Sequence, residues 1–151
     1  MAPRADQNGE PRTPLTRESV LRAAIALADA EGIEALTMRR LGRELGVEAM
    51  SLYNYIANKD DLLRASAEMV FEQVVLPSPE DDWKAALRTT AMSAHDVLWR
   101  HRWAYSIAIT PSNLSLARLG WMEAVLRTLR EGGFSPELSC RAYHTLDSHI
   151  T

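Results

Sequence analysis

The chain has 151 residues, 46% apolar and 25% charged, with a formal net charge of -3 at pH 7. This is ordinary globular composition, and it excludes a disordered or collagen-like chain. A membrane span is excluded too, since no run approaches the ~18 apolar residues that one needs. The single cysteine, Cys140, excludes an internal disulfide framework and a cysteine-built zinc site. With a polar N-terminus that lacks a secretion signal, it gives the expectation of a reducing, cytoplasmic setting.

Residues 1–15 carry Pro3, Pro11 and Pro14 among polar groups and read as a flexible arm. From Thr16 onward apolar residues recur at three and four, strand signals are absent, and the expected class is all-α. Thr16 caps a first helix whose apolar face is Val20, Leu21, Ala24, Leu27 and Ala28, with Arg22 and Asp29 opposite; Gly32 ends it. Thr37 caps a short second helix that Gly46 terminates. A third spans about Glu48 to Tyr55. Asn58 caps a fourth that reaches about Val75, ahead of Pro77 and Pro79.

Ser78-Pro79-Glu80-Asp81 reads as the start of a fifth helix, running to about Trp99. A short sixth covers Arg102 to Ile109, and a seventh about Ser112 to Glu131, stopped by Gly132-Gly133. The last opens at Ser135-Pro136 and is still running at Thr151.

Residues 37–56 hold the most informative pattern. Two short helices meet at Leu45-Gly46-Val47, where glycine supplies a left-handed turn. Leu41, Leu45, Val47, Leu52 and Ile56 would fill the small core between them. Met50, Ser51, Tyr53 and Asn54 then face outward, and Arg39, Arg40 and Arg43 lie on the preceding helix. A major-groove helix flanked by phosphate-binding arginines has this layout. By pattern alone, a plain helical hairpin is an equal reading.

Over residues 16–63 the order of Leu-Thr-Met-Arg-Arg-Leu-Gly, Leu-Gly-Val, Ser-Leu-Tyr-Asn-Tyr and Asn-Lys-Asp-Asp-Leu-Leu resembles the DNA-binding domain of the tetracycline-repressor (TetR) family. Residues beyond Leu76 resemble, more loosely, the helical ligand-binding and dimerisation domain of tetracycline-repressor-like members. The resemblance implies that Thr37 caps the first motif helix and touches phosphate. It implies that Arg39 reaches a base or phosphate, that Ala49, Met50 and Ser51 open the recognition helix, and that Tyr53 and Lys59 grip the backbone. Ala49 and Met50 offer no hydrogen bonds, so apolar readout is expected there, with specificity resting on Arg39, Ser51, Asn54 and DNA shape. The charge balance stands against this reading. Residues 1–62 hold 8 Lys and Arg against 10 Asp and Glu, a net of -2, and phosphate attraction dominates non-specific affinity. Asp29, Glu31 and Glu34 are expected at the far end of the first helix, away from the motif.

In the second half the fifth helix has one stripe of Trp83, Ala86, Leu87, Thr90, Ala91, Ala94, Val97 and Leu98, and a second side with Met92, His95 and Trp99. A helix apolar on two sides is expected to pack on two sides. Met92, His95, Trp99, Trp103, Arg118 and Trp121 are the candidates to line an apolar ligand pocket, although each alone reads as core. Arg118 projects into the stripe Leu114, Ala117, Trp121, Val125 and Leu129. It reads first as snorkelling or paired with an acid, and second as a ligand-binding charge. Cys140 reads as a small buried residue. The four histidines lack metal-ligand spacing, and no phosphate loop or nucleophile motif is present, so neither metal, cofactor nor catalytic activity is expected.

The organisation expected is an arm (1–15), a three-helix helix-turn-helix domain (16–62) and a helical regulatory domain (63–151). The resemblance implies a double-stranded DNA operator, a homodimer and a small-molecule effector that moves the fourth helix and changes the spacing of two recognition helices. It also implies further C-terminal helices that build the dimer interface, so this chain is expected to be either a fragment that appears truncated or a naturally short protein. A DNA-binding module governed by protein partners, without a small ligand, is the alternative; a helical enzyme or metal protein is a more distant one.

Overall fold

Eight α-helices and one 3₁₀ turn account for the regular structure of the described residues, 14–113 and 115–151, in a computed structural model of the chain. Thirteen of the arm's fifteen residues, and Leu114 of the expected seventh-helix stripe, lie outside the described residues.

Helix α1 (Arg17–Glu31) starts at Thr16, whose hydroxyl accepts the Ser19 N–H at 3.0 Å while the Ser19 hydroxyl accepts the Thr16 N–H at 2.9 Å. This reciprocal box satisfies two of the helix's otherwise orphaned donors. Gly32, with φ 88°, ends it, and a 3₁₀ turn over Ile33–Ala35 follows. Helix α2 (Met38–Leu45) is capped by Thr37, and Gly46 lies in the left-handed region at φ 65°, ψ 33°. Helix α3 (Ala49–Leu52) is shorter than the Glu48–Tyr55 span expected. Tyr53 and Asn54 bond back three residues, to Met50 and Ser51, so the chain tightens into a turn. Helix α4 (Lys59–Phe71) opens at Asn58, whose side chain accepts the Asp61 N–H at 2.8 Å.

Helix α5 (Trp83–Arg100) begins four residues later than the Ser78-Pro79 signal suggests. The Ser78 hydroxyl accepts the N–H of Glu80, two residues on, and so closes a local turn; Asp82 caps the helix instead. Helix α6 (Arg102–Ala108) follows at once. Helix α7 (Leu116–Glu131) also starts late, because Ser115 provides its cap and Thr110–Asn113 forms a turn. Helix α8 (Pro136–Ile150) opens on Ser135 as expected.

Two apolar cores result, with a small satellite of Phe71, Leu98 and Ala108 beside them. One joins α1, α2, α3 and the start of α4 through Val20, Leu21, Ala24, Leu27, Leu36, Leu41, Leu52, Ile56 and Leu62. The other gathers α4 through α8 around Ala67, Val70, Val74, Ala94, Trp103, Trp121, Val125 and Tyr143. Ile25 and Ala28 of α1 belong to this second core, so α1 and α4 both span the two. On α8 the inward line is Ser139, Ala142, Tyr143, Leu146 and Ile150, whereas Leu138 faces out. Cys140 is exposed, against the expectation that it is buried, because it follows the inward Ser139 on the outer side of α8.

Candidate nucleic-acid interface

Helices α2 and α3 cross at close range. A Cβ on Gly42 would stand 2.8 Å from the Val47 carbonyl oxygen, so only glycine lets the two backbones approach this way. The Val47 N–H donates to the Gly42 carbonyl at 2.9 Å and locks the turn. With Leu52 and Ile56 buried beneath, the opposite side of α3 and the turn after it are left in solvent. Met50 is 76% and Tyr53 45% exposed, Asn54 is exposed, and Ala49 and Ser51 are half-buried. Thr37 spends its hydroxyl as an acceptor for the Arg40 N–H at 3.1 Å, yet stays at the surface beside exposed Arg39. Lys59 opens α4, and it is exposed.

The ion pairs leave the net charge of this part unchanged but fix which of its charges are free. Arg40 is held by Glu31 and Glu44, Arg22 by Glu18, and Arg17 by Asp61 and the Tyr55 carbonyl. Glu31 therefore is not remote from the motif, as its position in sequence suggested; α1 and α2 pack so that it reaches Arg40. Asp61 also takes Arg64 and the Ala57 N–H. These contacts, led by Arg17 and opposed in part by burial, hold its carboxyl below the usual carboxylate range. Among the described residues Arg39, Arg43 and Lys59 enter none of these pairs, and all three are exposed. Glu18, Glu31, Glu44 and Asp61 are thus paired with arginines, whereas Glu34, Glu48 at the cap of α3 and Asp60 are exposed and enter none of these pairs, so the free acids match the free cations in number.

The six pocket candidates do not converge. Met92 and Trp99 are 61% and 64% exposed, and His95 stacks on Trp99 at 6.1 Å between ring centroids on the same outer face of α5. The second side of α5 is thus uncovered in the single chain; α7 and α8 pack on the first side alone. Arg102 lies over the Trp99 ring at 3.8 Å. Trp99 and Trp103 wall a surface cleft of about 610 Å³ between the C-terminal end of α1 and the α5–α6 joint. Arg118 and Trp121 lie elsewhere, toward α8. The Arg118 guanidinium approaches Asp147 at 3.7 Å and the Tyr105 ring at 5.7 Å, which is the acid-paired arrangement. Trp121 is buried against Tyr143.

Sequence reasoning missed the groups that join the two cores. Asp29 does not simply face solvent. Its carboxylate accepts the Trp103 indole N–H at 2.8 Å and contacts His101 Nδ1 at 2.8 Å, tying α1 to the α5–α6 joint. Glu68 of α4 accepts the Ala117 N–H at 2.7 Å, in the first turn of α7, where helix donors lack intrahelical partners. An acid at an amphipathic helix's polar edge carries no mark of such a partner, so neither was legible.

Known sequences with this arrangement decide the family. Residues 20–66 match the bacterial regulatory proteins of the tetR family, and residues 76–151 match the tetracyclin repressor-like C-terminal domain. This chain belongs to the tetR family. Its relatives include the HTH-type transcriptional repressor DrrR1 of Streptomyces coeruleorubidus, 37% identical over 135 residues, which cover 85% of this chain and 48% of that protein. Among solved structures of the family, ActR of Streptomyces coelicolor in complex with actinorhodin matches with a TM-score of 0.75 at 33% identity, covering 91% of this chain and 65% of that one. BioQ with its natural double-stranded DNA operator matches with a TM-score of 0.75 at 29% identity, covering 91% and 84%. The chain spans about half the length of the curated relatives it matches. Like other tetR-family chains it is all-helical, and among the described residues no helix is long and apolar enough to cross a membrane.

Proposed function

We propose that this chain is a cytoplasmic, ligand-responsive transcriptional repressor that binds a palindromic double-stranded operator as a homodimer and is released by a small, largely apolar effector. Residues 16–62 would read DNA and residues 63–151 would sense the effector and pair the subunits. The observation that carries this reading is the outward side of α3 and its turn, Met50, Tyr53 and Asn54, with exposed Arg39 and Arg43 on the adjoining α2 and Lys59 at the start of α4, none of them in an ion pair among the described residues. Apolar contact from Ala49 and Met50 suits a thymine methyl, Ser51 and Asn54 supply hydrogen bonds, and Thr37, Tyr53 and Lys59 are placed for phosphates. Two recognition helices dock together only at half-sites about 34–36 Å apart or a multiple of that, so an effector that favours another separation releases the DNA.

Duplexes selected by the full chain from a random library test the DNA half. Enrichment of a palindrome is expected, and affinity should fall steeply between 50 and 200 mM salt, with Arg39→Ala and Lys59→Ala each reducing the log–log salt slope by about one. No enriched sequence, or binding indifferent to salt, refutes it. Actinorhodin, the compound bound in the ActR structure, is the first probe for the effector half: binding should quench the tryptophans and weaken the selected complex. The exposed Met92–Trp99 face supports a second reading, in which a protein partner and not a small ligand governs the module. Unchanged tryptophan emission across a panel of apolar compounds, with DNA binding intact, favours that reading.

A further inference from the structure

Two threonines inside the helices of this chain, Thr128 and Thr145, turn their hydroxyls back on their own backbone. Thr128 donates to the Ala124 carbonyl and Thr145 to the Arg141 carbonyl, each four residues earlier. This is the usual resting place for a helical hydroxyl. Thr90, in the middle of α5 and fully buried, does otherwise. Its hydroxyl donates to the carbonyl of Val75, in the segment that leaves α4, and accepts the indole N–H of Trp121 in α7 at 2.9 Å. The Val75 N–H donates to the Ser93 hydroxyl at 2.9 Å, one turn along α5. Both backbone polar groups of Val75 are therefore held by α5 side chains, while its own side chain is 52% exposed and contributes little packing.

We propose that Thr90 is a positioning residue that relays the placement of the Trp121 ring to the C-terminal end of α4. The reason lies in the hydroxyl's geometry. It has one proton to give, and the Trp121 N–H occupies an acceptor direction, leaving the proton to point at Val75. When the indole moves or is lost, nothing orients the hydroxyl outward, and it turns to the carbonyl of its own helix as Thr128 and Thr145 do. Val75 then loses one of its two anchors, and the exit of α4 loosens. Trp121 packs on Tyr143 of α8, so a change among α7 and α8 reaches the exit of α4 through two successive hydrogen bonds that share the Thr90 hydroxyl. The regulatory consequence rests on the proposed function; the relay itself does not.

Hydrogen–deuterium exchange of the full chain, without DNA or ligand, tests it. Trp121→Phe keeps an aromatic ring but removes the indole donor together with the pyrrole part of the buried ring, although Trp121 does not bond Val75. It should raise exchange over residues 72–77 by about ten-fold, the factor for one lost hydrogen bond. Thr90→Val should do the same, Thr90→Ser should match the parent, and the double variant Trp121→Phe/Thr90→Val should be no faster than either single one. Exchange over 72–77 unchanged in Trp121→Phe, or additive effects in the double variant, overturns the relay. If Thr90→Val does not fold, Trp121→Phe against Thr90→Ser decides alone. Because no operator enters, failure here leaves the DNA-binding reading standing, and failure of operator selection leaves the relay standing.

Discussion

Single polar atoms reveal more here than single apolar ones. Tyr143 is 4% exposed, and its hydroxyl has no hydrogen-bond partner among the described residues. Burial, aided by the charge of Asp147 and opposed by Arg118, pushes its phenol up to about 12, against about 10 for a free tyrosine. A group whose proton is held more tightly in the folded state stabilises below the unfolded value and loses that contribution as pH rises through the folded one. The parent chain should therefore lose stability between about pH 10 and 12. Tyr143→Phe should remove that part of the loss and, by deleting an unpartnered buried hydroxyl, leave neutral-pH stability unchanged or raise it by ~1 kcal/mol. Denaturant melts of both proteins across this range check it. Arg118 shows the other face of the lesson. Its sequence position on an apolar stripe was legible, and so was pairing as the first reading; that the acid is Asp147, twenty-nine residues on, was not.

Among the elements, the α2–α3 pair depends on backbone proximity more than on side-chain burial. Gly42 sits inside α2, where alanine would ordinarily improve helix propensity. Here the added methyl would meet the Val47 carbonyl at 2.8 Å and the Ala49 nitrogen at 3.2 Å, both backbone atoms. Gly42→Ala should cost ~1–3 kcal/mol through overpacking and, by tilting α3, weaken operator binding more than its loss of stability explains. Thermal melts set beside affinities measured well below the melting point separate the two effects. Gly46 and the Thr37 cap were plain in the sequence because a left-handed turn and a capped helix start each need particular residue types. The crossing distance that singles out Gly42 appears only once both helices are placed.

At the scale of the whole molecule, few directional bonds tie α1, α4 and the segment leaving α4 to the later helices. Asp29 fastens α1 to Trp103 and His101, Glu68 fastens α4 to the start of α7, and Val75 is held by α5. The other contacts across this boundary are apolar, among them Ile25, Ala28, Ala67 and Val70, and such packing tolerates small slides better than hydrogen bonds do. Asp29→Ala strands the Trp103 indole N–H in a largely buried place. It should destabilise the chain by ~1–3 kcal/mol, whereas Asp29→Asn keeps an acceptor and should lose less. Urea melts followed by tryptophan emission give both values. Equal losses for the two variants would show that the carboxylate's charge, and not its role as an acceptor, is what counts.

The amino-acid order alone determined the all-helical class, most helix starts, the helix-turn-helix and the family. Caps, glycine stops and the three-to-four apolar spacing are local signals, and each acts over one or two turns of chain. Tertiary structure decided that Glu31 reaches Arg40 and Asp61 reaches Arg17, and that Met92, His95 and Trp99 stand apart from Arg118 and Trp121. These outcomes turn on distances between residues far apart in sequence, and no local pattern encodes them. For the same reason the bonds of Asp29, Glu68 and Thr90 became visible only in the folded chain: a carboxylate or hydroxyl on a helix reads alike whether it meets water or the one donor that ties two halves of a protein together.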